Sequence, residues 1–152
     1  MSKEQDAREV LGQILTHMGI QATVEVREEA DRQVLDIQGD ESGLVIGKKG
    51  QTLEALQYLV SKILYRGAEG TPAGKPVIID AEGYRARREE ALHRQADQAA
   101  DDAIRYKRPV ALDAMTASER KLVHEYLRDR GDVETYSEGE EPDRHLMVAP
   151  LH

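Results

Sequence analysis

Cysteine, phenylalanine and tryptophan do not occur anywhere in the 152 residues. Without cysteine there are no disulfides, thiol nucleophiles or cysteine-ligated zinc, and the chain suits a reducing compartment. Without phenylalanine and tryptophan, a recognition surface that stacks bases on several aromatic rings is not expected, and aliphatic contacts are expected in its place. Long apolar runs are missing too. The N-terminal MSKEQDAREV has no apolar signal core and no segment approaches a membrane span, so a soluble, cytoplasmic protein without membrane insertion is expected. Positive charge is the scarcer sign, with 21 basic against 29 acidic residues and a net charge of −8. At long range this opposes a polyanionic partner. The basic residues are nevertheless gathered at Lys48-Lys49, Arg85-Arg87-Arg88 and Arg105-Lys107-Arg108.

A hydrophobic content of 39% fills one ordinary core or two small ones. Val10, Leu11, Ile14, Leu15 and Met18 recur at helical spacing and predict an amphipathic helix over 4–18, ended by Gly19. ATVEVREE and QVLDIQG, joined by a charged connection, read as an antiparallel strand pair. Leu53, Leu56, Val60, Ile63 and Leu64 form the apolar stripe of another helix. A loop rich in glycine and proline, RGAEGTPAGKP, then leads to VIID, a short buried strand. A long, alanine-rich helix over 82–108 is stopped by Pro109, and its stripe from Ala96 to Ala103 reads as a packing seam between domains. Beyond it follow VAL, a helix near 117–129 that begins at the capping-box pair Thr116 and Glu119, and strands at DVETYS and RHLMVA. The expected organisation is α+β, with domains at 1–80 and 81–152.

The stretch SGLVIGKKGQTLEALQYLV places two lysines between two glycines, after three aliphatic residues and before an apolar helix. A P-loop is excluded because three residues rather than four separate Gly43 from Gly47, and Lys48 is followed by lysine rather than Ser or Thr. The dinucleotide pattern Gly-x-Gly-x-x-Gly is absent as well. What remains is a sharp turn whose glycines would let a nucleic-acid backbone approach main-chain amides, with Lys48 and Lys49 as cations beside it.

VIGKKGQTLEALQYLV resembles the KH domain, in which such a loop joins two helices and clamps single-stranded nucleic acid. The order of elements is similar to the type II arrangement, a three-stranded sheet packed on helices. The resemblance implies a backbone clamp at Gly47, Lys48, Lys49 and Gly50, with Ile46 in an aliphatic groove for bases.

SERKLVHEYL places Arg120 and His124 four residues apart, about 40° apart around a helix and so on one face. A guanidinium fork and an imidazole can both donate to phosphate or base edges. MTASERKLVHEYL with VETYSEGEEPDRHLMVAP resembles the R-3-H domain, named for its Arg-x-x-x-His helix. That resemblance implies Arg120 and His124 as nucleic-acid contacts, with Lys121 and Arg144 as weaker ones.

A KH domain joined through a long helix to a small α+β R-3-H domain is similar to the Jag-type (SpoIIIJ-associated, KhpB-like) RNA-binding proteins of bacteria. The chain is expected to lack the N-terminal Jag domain that many members carry. The resemblance implies binding of single-stranded RNA, with single-stranded DNA as a further ligand, and a post-transcriptional regulator or RNA chaperone linked to cell elongation and division. The alternative is an adaptor that pairs with a second small KH protein, RNA binding being incidental. No catalytic constellation or cofactor motif is found, so a non-enzymatic protein without a cofactor is expected. SEGEEPDRH is the richest cluster of metal-type ligands, but it matches no EF-hand spacing and reads as a solvated hairpin tip. His17, His93 and His152 lack paired spacing and read as surface groups. The Arg85-Arg87-Arg88 run reads as a solvated face balanced by Glu89 and Glu90.

Overall fold

In the computed structural model, residues 3–65 and 75–151 are described; most of the glycine- and proline-rich loop (66–74) and His152 lie outside them. The elements follow the expected order and group into two compact units, residues 1–85 and 86–152.

In the first unit, α1 (Lys3–His17) turns Ala7, Leu11 and Leu15 inward at a spacing of four, and all three are buried. Burying a leucine side chain contributes roughly 2 kcal/mol. The helix ends at Gly19, whose φ of 74° lets its own amide and that of Ile20 return to the Thr16 and Leu15 carbonyls. β1 (Thr23–Glu28) pairs antiparallel with β2 (Gln33–Gln38), and β2 runs parallel to β3 (Val77–Ala81), giving the order β1-β2-β3. The short α2 (Ser42–Ile46) and the longer α3 (Gln51–Leu64) follow β2. Leu53, Leu56 and Val60 of α3 are buried, whereas Ile63, assigned to the same stripe from sequence, is 45% exposed. The outer edge of β3 is closed by side chains. Gln57 donates to the Val77 carbonyl at 3.0 Å and accepts from the Ile79 amide at 2.7 Å, while Arg85 Nε donates to the Ile79 carbonyl at 2.8 Å. An edge so occupied is poorly available to a further strand.

α4 (Tyr84–Tyr106) gives Leu92, Ala96, Ala99 and Ala100 to the second unit's core, where they join Val123 and Leu127 of α5 (Ala117–Arg128). The alanine stripe is therefore part of one core, not the seam between domains that its composition suggested; small side chains let α4 sit close to its own neighbours. α4 stops before Pro109, at Lys107, which takes φ 57°, and the Arg108 amide returns to the Ala103 carbonyl at 3.2 Å. β4 (Val110–Ala111), β5 (Val133–Glu138) and β6 (His145–Pro150) form an antiparallel sheet in the order β4-β6-β5. The capping box of α5 is present: Thr116 accepts from the Glu119 amide at 3.3 Å and Glu119 accepts from the Thr116 amide at 3.2 Å. Among the described residues no helix is long and apolar enough to cross a membrane.

Candidate nucleic-acid interface

Between α2 and α3 the chain turns through a single 3-10 segment, Lys48–Gly50. Gly47 takes φ 71° and ψ −169°, a region open almost only to glycine. Lys49 (φ 54°) and Gly50 (φ 80°) follow in the left-handed region. The turn therefore needs its first glycine for backbone reasons alone. Gly47, Lys48 and Lys49 are exposed and Gly50 is buried. Neither lysine has an ion-pair partner among the described residues. Gly50, as N-cap of α3, offers no side-chain acceptor to the first amides of that helix; the Gln51 amide returns to the Lys48 carbonyl, and the helix start beyond it suits an anion.

The glycines do not leave open space for a ligand as the sequence suggested. A Cβ on Gly47 would collide with the Thr52 side chain, and one on Gly50 would lie 2.8 Å from the ring of Tyr84. The room made by the missing side chains is filled from within the unit, and what faces solvent is the main chain with its two lysines. Ile46 is half-buried and packs against the core, while Leu44, one residue before the buried Val45, is 60% exposed. Leu44 is the open aliphatic surface on α2, and sequence reasoning did not single it out. On so short a helix only the position facing the core is shielded, and LVI does not reveal which one that is.

In the second unit, Arg120 and His124 differ sharply in environment. Arg120 is 9% exposed. Its Nη1 donates to the Met115 carbonyl at 2.7 Å and its Nη2 to Glu141 Oε1 at 2.7 Å. The guanidinium thus ties α5 to the segment before it and to the hairpin between β5 and β6, and a phosphate would reach it only by displacing Glu141. His124 is exposed, with Nδ1 hydrogen-bonded to the Thr135 hydroxyl of β5. That bond fixes the ring and directs Nε2 away from β5. Arg144 donates from Nη1 to the Gly139 carbonyl at 2.7 Å and braces the same hairpin. Lys121 is exposed beside an open groove of about 520 Å³ lined in part by Glu89, His93, Glu125 and Tyr126. The α5 residues are thus brought to one region, but only Lys121 and His124 are freely presented. Glu141 and Thr135, the partners that hold Arg120 and His124, lie 21 and 11 residues away in the chain, and no local spacing announces them.

Other cations act within the fold. Arg85 pairs with Glu54 at 2.7 Å and Arg88 with Glu119 at 2.8 Å, not with Glu89 and Glu90 as expected from sequence. Arg130 bonds Asp101 and Asp132, each at 3.0 Å, and Asp132 is held below the usual carboxylate range by that bond. His93 is not a plain surface group: its ring stacks on Tyr126 at 3.9 Å. The Tyr126 hydroxyl donates to Asp97 at 2.7 Å, which raises its pKa. Among the described residues no group of three His, Asp or Glu side chains is arranged to hold a metal ion.

Comparison with known proteins returns the same two halves. Residues 4–71 match the family described as KhpA/KhpB, KH domain, and residues 90–150 match the R-3-H domain. The chain is similar to the RNA-binding protein KhpB of Clostridium symbiosum, with 38% identity over 133 residues that cover 88% of this chain and 59% of that protein. It is 35% identical over 147 residues to the RNA-binding protein KhpB of Bacillus subtilis, covering 95% of this chain and 69% of that one. Against the protein of the same name from Lactiplantibacillus plantarum, identity is 35% over 136 residues, covering 90% and 41%. The chain therefore spans only part of the length of these relatives.

Proposed function

The chain belongs to the KhpB family of proteins with a KH and an R-3-H domain, and from that premise we propose that it binds single-stranded RNA through the turn at Gly47–Gly50 and through α5. The observation that carries this reading is the pair of exposed lysines, free of acidic partners among the described residues, on a tight turn beside the uncapped amides of α3. Lys48 and Lys49 neutralise phosphates, the amides donate to phosphate oxygens, and Ile46 with Leu44 supplies an aliphatic surface to bases. On α5, Lys121 and His124 Nε2 make direct contacts. Arg120 and Arg144 act as positioning residues that hold the hairpin, Arg120 reaching RNA only when Glu141 yields. The wider role that goes with the family resemblance is post-transcriptional regulation or RNA chaperoning linked to cell elongation and division, without catalysis.

The test is Lys48→Asp combined with Lys49→Asp, measured by fluorescence anisotropy against labelled single-stranded RNA. Most of the affinity is lost while the circular dichroism spectrum is unchanged, and the slope of log K against log salt falls by roughly 1.4, about 0.7 per phosphate. Full affinity in a folded double variant refutes the clamp. The same titration with single-stranded DNA measures the preference between the two.

A second reading has its own observation. Tyr58, Leu59 and Ile63 of α3 are 66%, 44% and 45% exposed, an apolar surface suited to pairing with a second KH protein. Leu59→Glu with Ile63→Glu breaks such a pair in sedimentation velocity. If RNA affinity disappears with the pairing, the adaptor reading gains; if it persists in the monomer, RNA binding is primary.

A further inference from the structure

The third basic cluster takes no part in the interface above. α4 ends in Arg105 and Tyr106, and Lys107 and Arg108 follow at once; all four are exposed, Tyr106 by 55%. Both guanidinia lie against the tyrosine ring, Arg105 at 5.5 Å and Arg108 at 5.8 Å from its centroid. None of the three cations has an ion pair among the described residues. The two acids of the last turns of α4 are engaged elsewhere: Asp101 holds Arg130 at 3.0 Å, and Asp102 accepts from Gln98 at 3.0 Å. Cations at a helix C-terminus complement its dipole, which accounts for charge here but not for an exposed aromatic ring between the charges. Lys107 also occupies a left-handed position, φ 57°, where glycine is the unstrained choice, so a lysine is kept at a place its backbone disfavours. The Arg108 amide, bonded to the Ala103 carbonyl, fixes the cluster to the end of a long helix.

We infer that the end of α4 is an additional contact site for single-stranded RNA, in which a base stacks on Tyr106 and Arg105, Lys107 and Arg108 hold the flanking phosphates. This rests on the reading of the chain as an RNA binder and adds a site to it. Base stacking on a single aromatic residue is independent of sequence, and in a chain of net charge −8 an unpaired cluster of three cations is a local exception in the field. An arriving base exchanges with one guanidinium on the ring, and that guanidinium moves to phosphate. An anionic membrane would match the charge, but on α4 only Ile104 adds an exposed aliphatic side chain to the ring, too little for an apolar face.

The experiment uses the full chain, a labelled 20-mer of uridine and an abasic ribose-phosphate oligomer of the same length. Neutralising the cluster with Arg105→Gln, Lys107→Asn and Arg108→Gln weakens binding of the uridine oligomer roughly tenfold at 0.1 M salt and lowers the salt slope by about 2. Asparagine tolerates the left-handed backbone at 107. Tyr106→Ala weakens binding of the uridine oligomer roughly fivefold and leaves the abasic oligomer unchanged, while Tyr106→Phe behaves as wild type. Unchanged affinity and slope in the triple variant, or no effect of Tyr106→Ala, overturns the inference. Lys48→Asp with Lys49→Asp is titrated alongside. Loss there with none at α4 leaves the turn standing and removes this site; the converse keeps this site and removes the turn. A wild-type chain that fails to bind uridine overturns both. Co-sedimentation with anionic phospholipid vesicles that the triple variant abolishes, with RNA affinity unaltered, reassigns the cluster to membranes and overturns the inference as well.

Discussion

The turn after α2 and the helix α5 both carry the basic residues expected to meet nucleic acid, yet they hold them in opposite ways. Lys48 and Lys49 stand in solvent without an acidic partner among the described residues, whereas Arg120 is 9% exposed and bonded to Met115 and Glu141. Exposed, unpaired lysines cost the fold little and keep their full charge for a ligand. A buried guanidinium has been desolvated already and must keep its hydrogen bonds to be tolerated. A residue that names a motif can therefore serve the fold of the motif more than its contact surface, and mutational loss of binding at such a residue does not identify a contact.

The largest effect that sharpens this contrast is on stability. Arg120→Ala is expected to destabilise the second unit by about 3 kcal/mol, mostly through the orphaned Met115 carbonyl and lost packing. The Glu141 pair adds little, because Glu141 is 60% exposed on its side. Urea denaturation followed by circular dichroism measures it. Arg120→Lys, which keeps the charge but not the two-pronged geometry, falls between. Lys48→Asp with Lys49→Asp stays within about 0.5 kcal/mol of wild type in the same assay. A stable Arg120→Ala chain that has lost RNA affinity would erase the distinction and make Arg120 a contact residue.

Next in size is Gly47→Ala, with an expected cost of about 2 kcal/mol from its backbone geometry and from collision with Thr52. This separates the two reasons a glycine can be needed at the turn. Restoring RNA affinity at high protein stability, for example in added osmolyte, would show that the glycine serves the fold; affinity that stays low in a fully folded variant would show that the ligand itself approaches Gly47. A smaller loss, measured as a lower urea midpoint, is expected for Tyr126→Phe, which keeps the stack on His93 and removes the 2.7 Å bond to Asp97. It leaves RNA affinity unaltered, since neither group belongs to the proposed contacts.

Much of the architecture was legible because local signals agreed with the fold. Gly19 ended α1, Thr116 and Glu119 opened α5, and the β-branched residues of QVLDIQ placed a strand that became the centre of the first sheet. The alanine stripe misled because small residues mark close packing without saying which partner comes close. Arg120 could have been recognised as buried. It sits three residues before Val123 and seven before Leu127, both fully buried, so on a helix it shares their face. Reading charge as exposure hid that periodicity. The location of Glu141 and Thr135 beside α5 depends on the β5–β6 hairpin folding back, a long-range fact that no local pattern carries. Tyr84 against Gly50 is of the same kind.

The smallest effect concerns pH and one of the internally held arginines. Asp132 has its pKa lowered by the bond from Arg130, whose own pKa is raised, so Arg130 remains charged throughout. A carboxyl with a folded pKa below its unfolded value, about 3.9, contributes stability that is fully present above that value and is lost as pH falls through the folded one. Between pH 5 and 7 this pair therefore adds no slope. Below about pH 4 the wild type loses stability that Asp132→Asn never had, and urea midpoints of the two converge. Parallel curves down to pH 2 would mean that the bond from Arg130 does not hold Asp132 in solution. Convergence would establish that α5 is followed by an ion pair serving the fold, the same use of arginine that Arg120 makes at the other end of the helix, and the opposite of what the free lysines at the turn are placed to do.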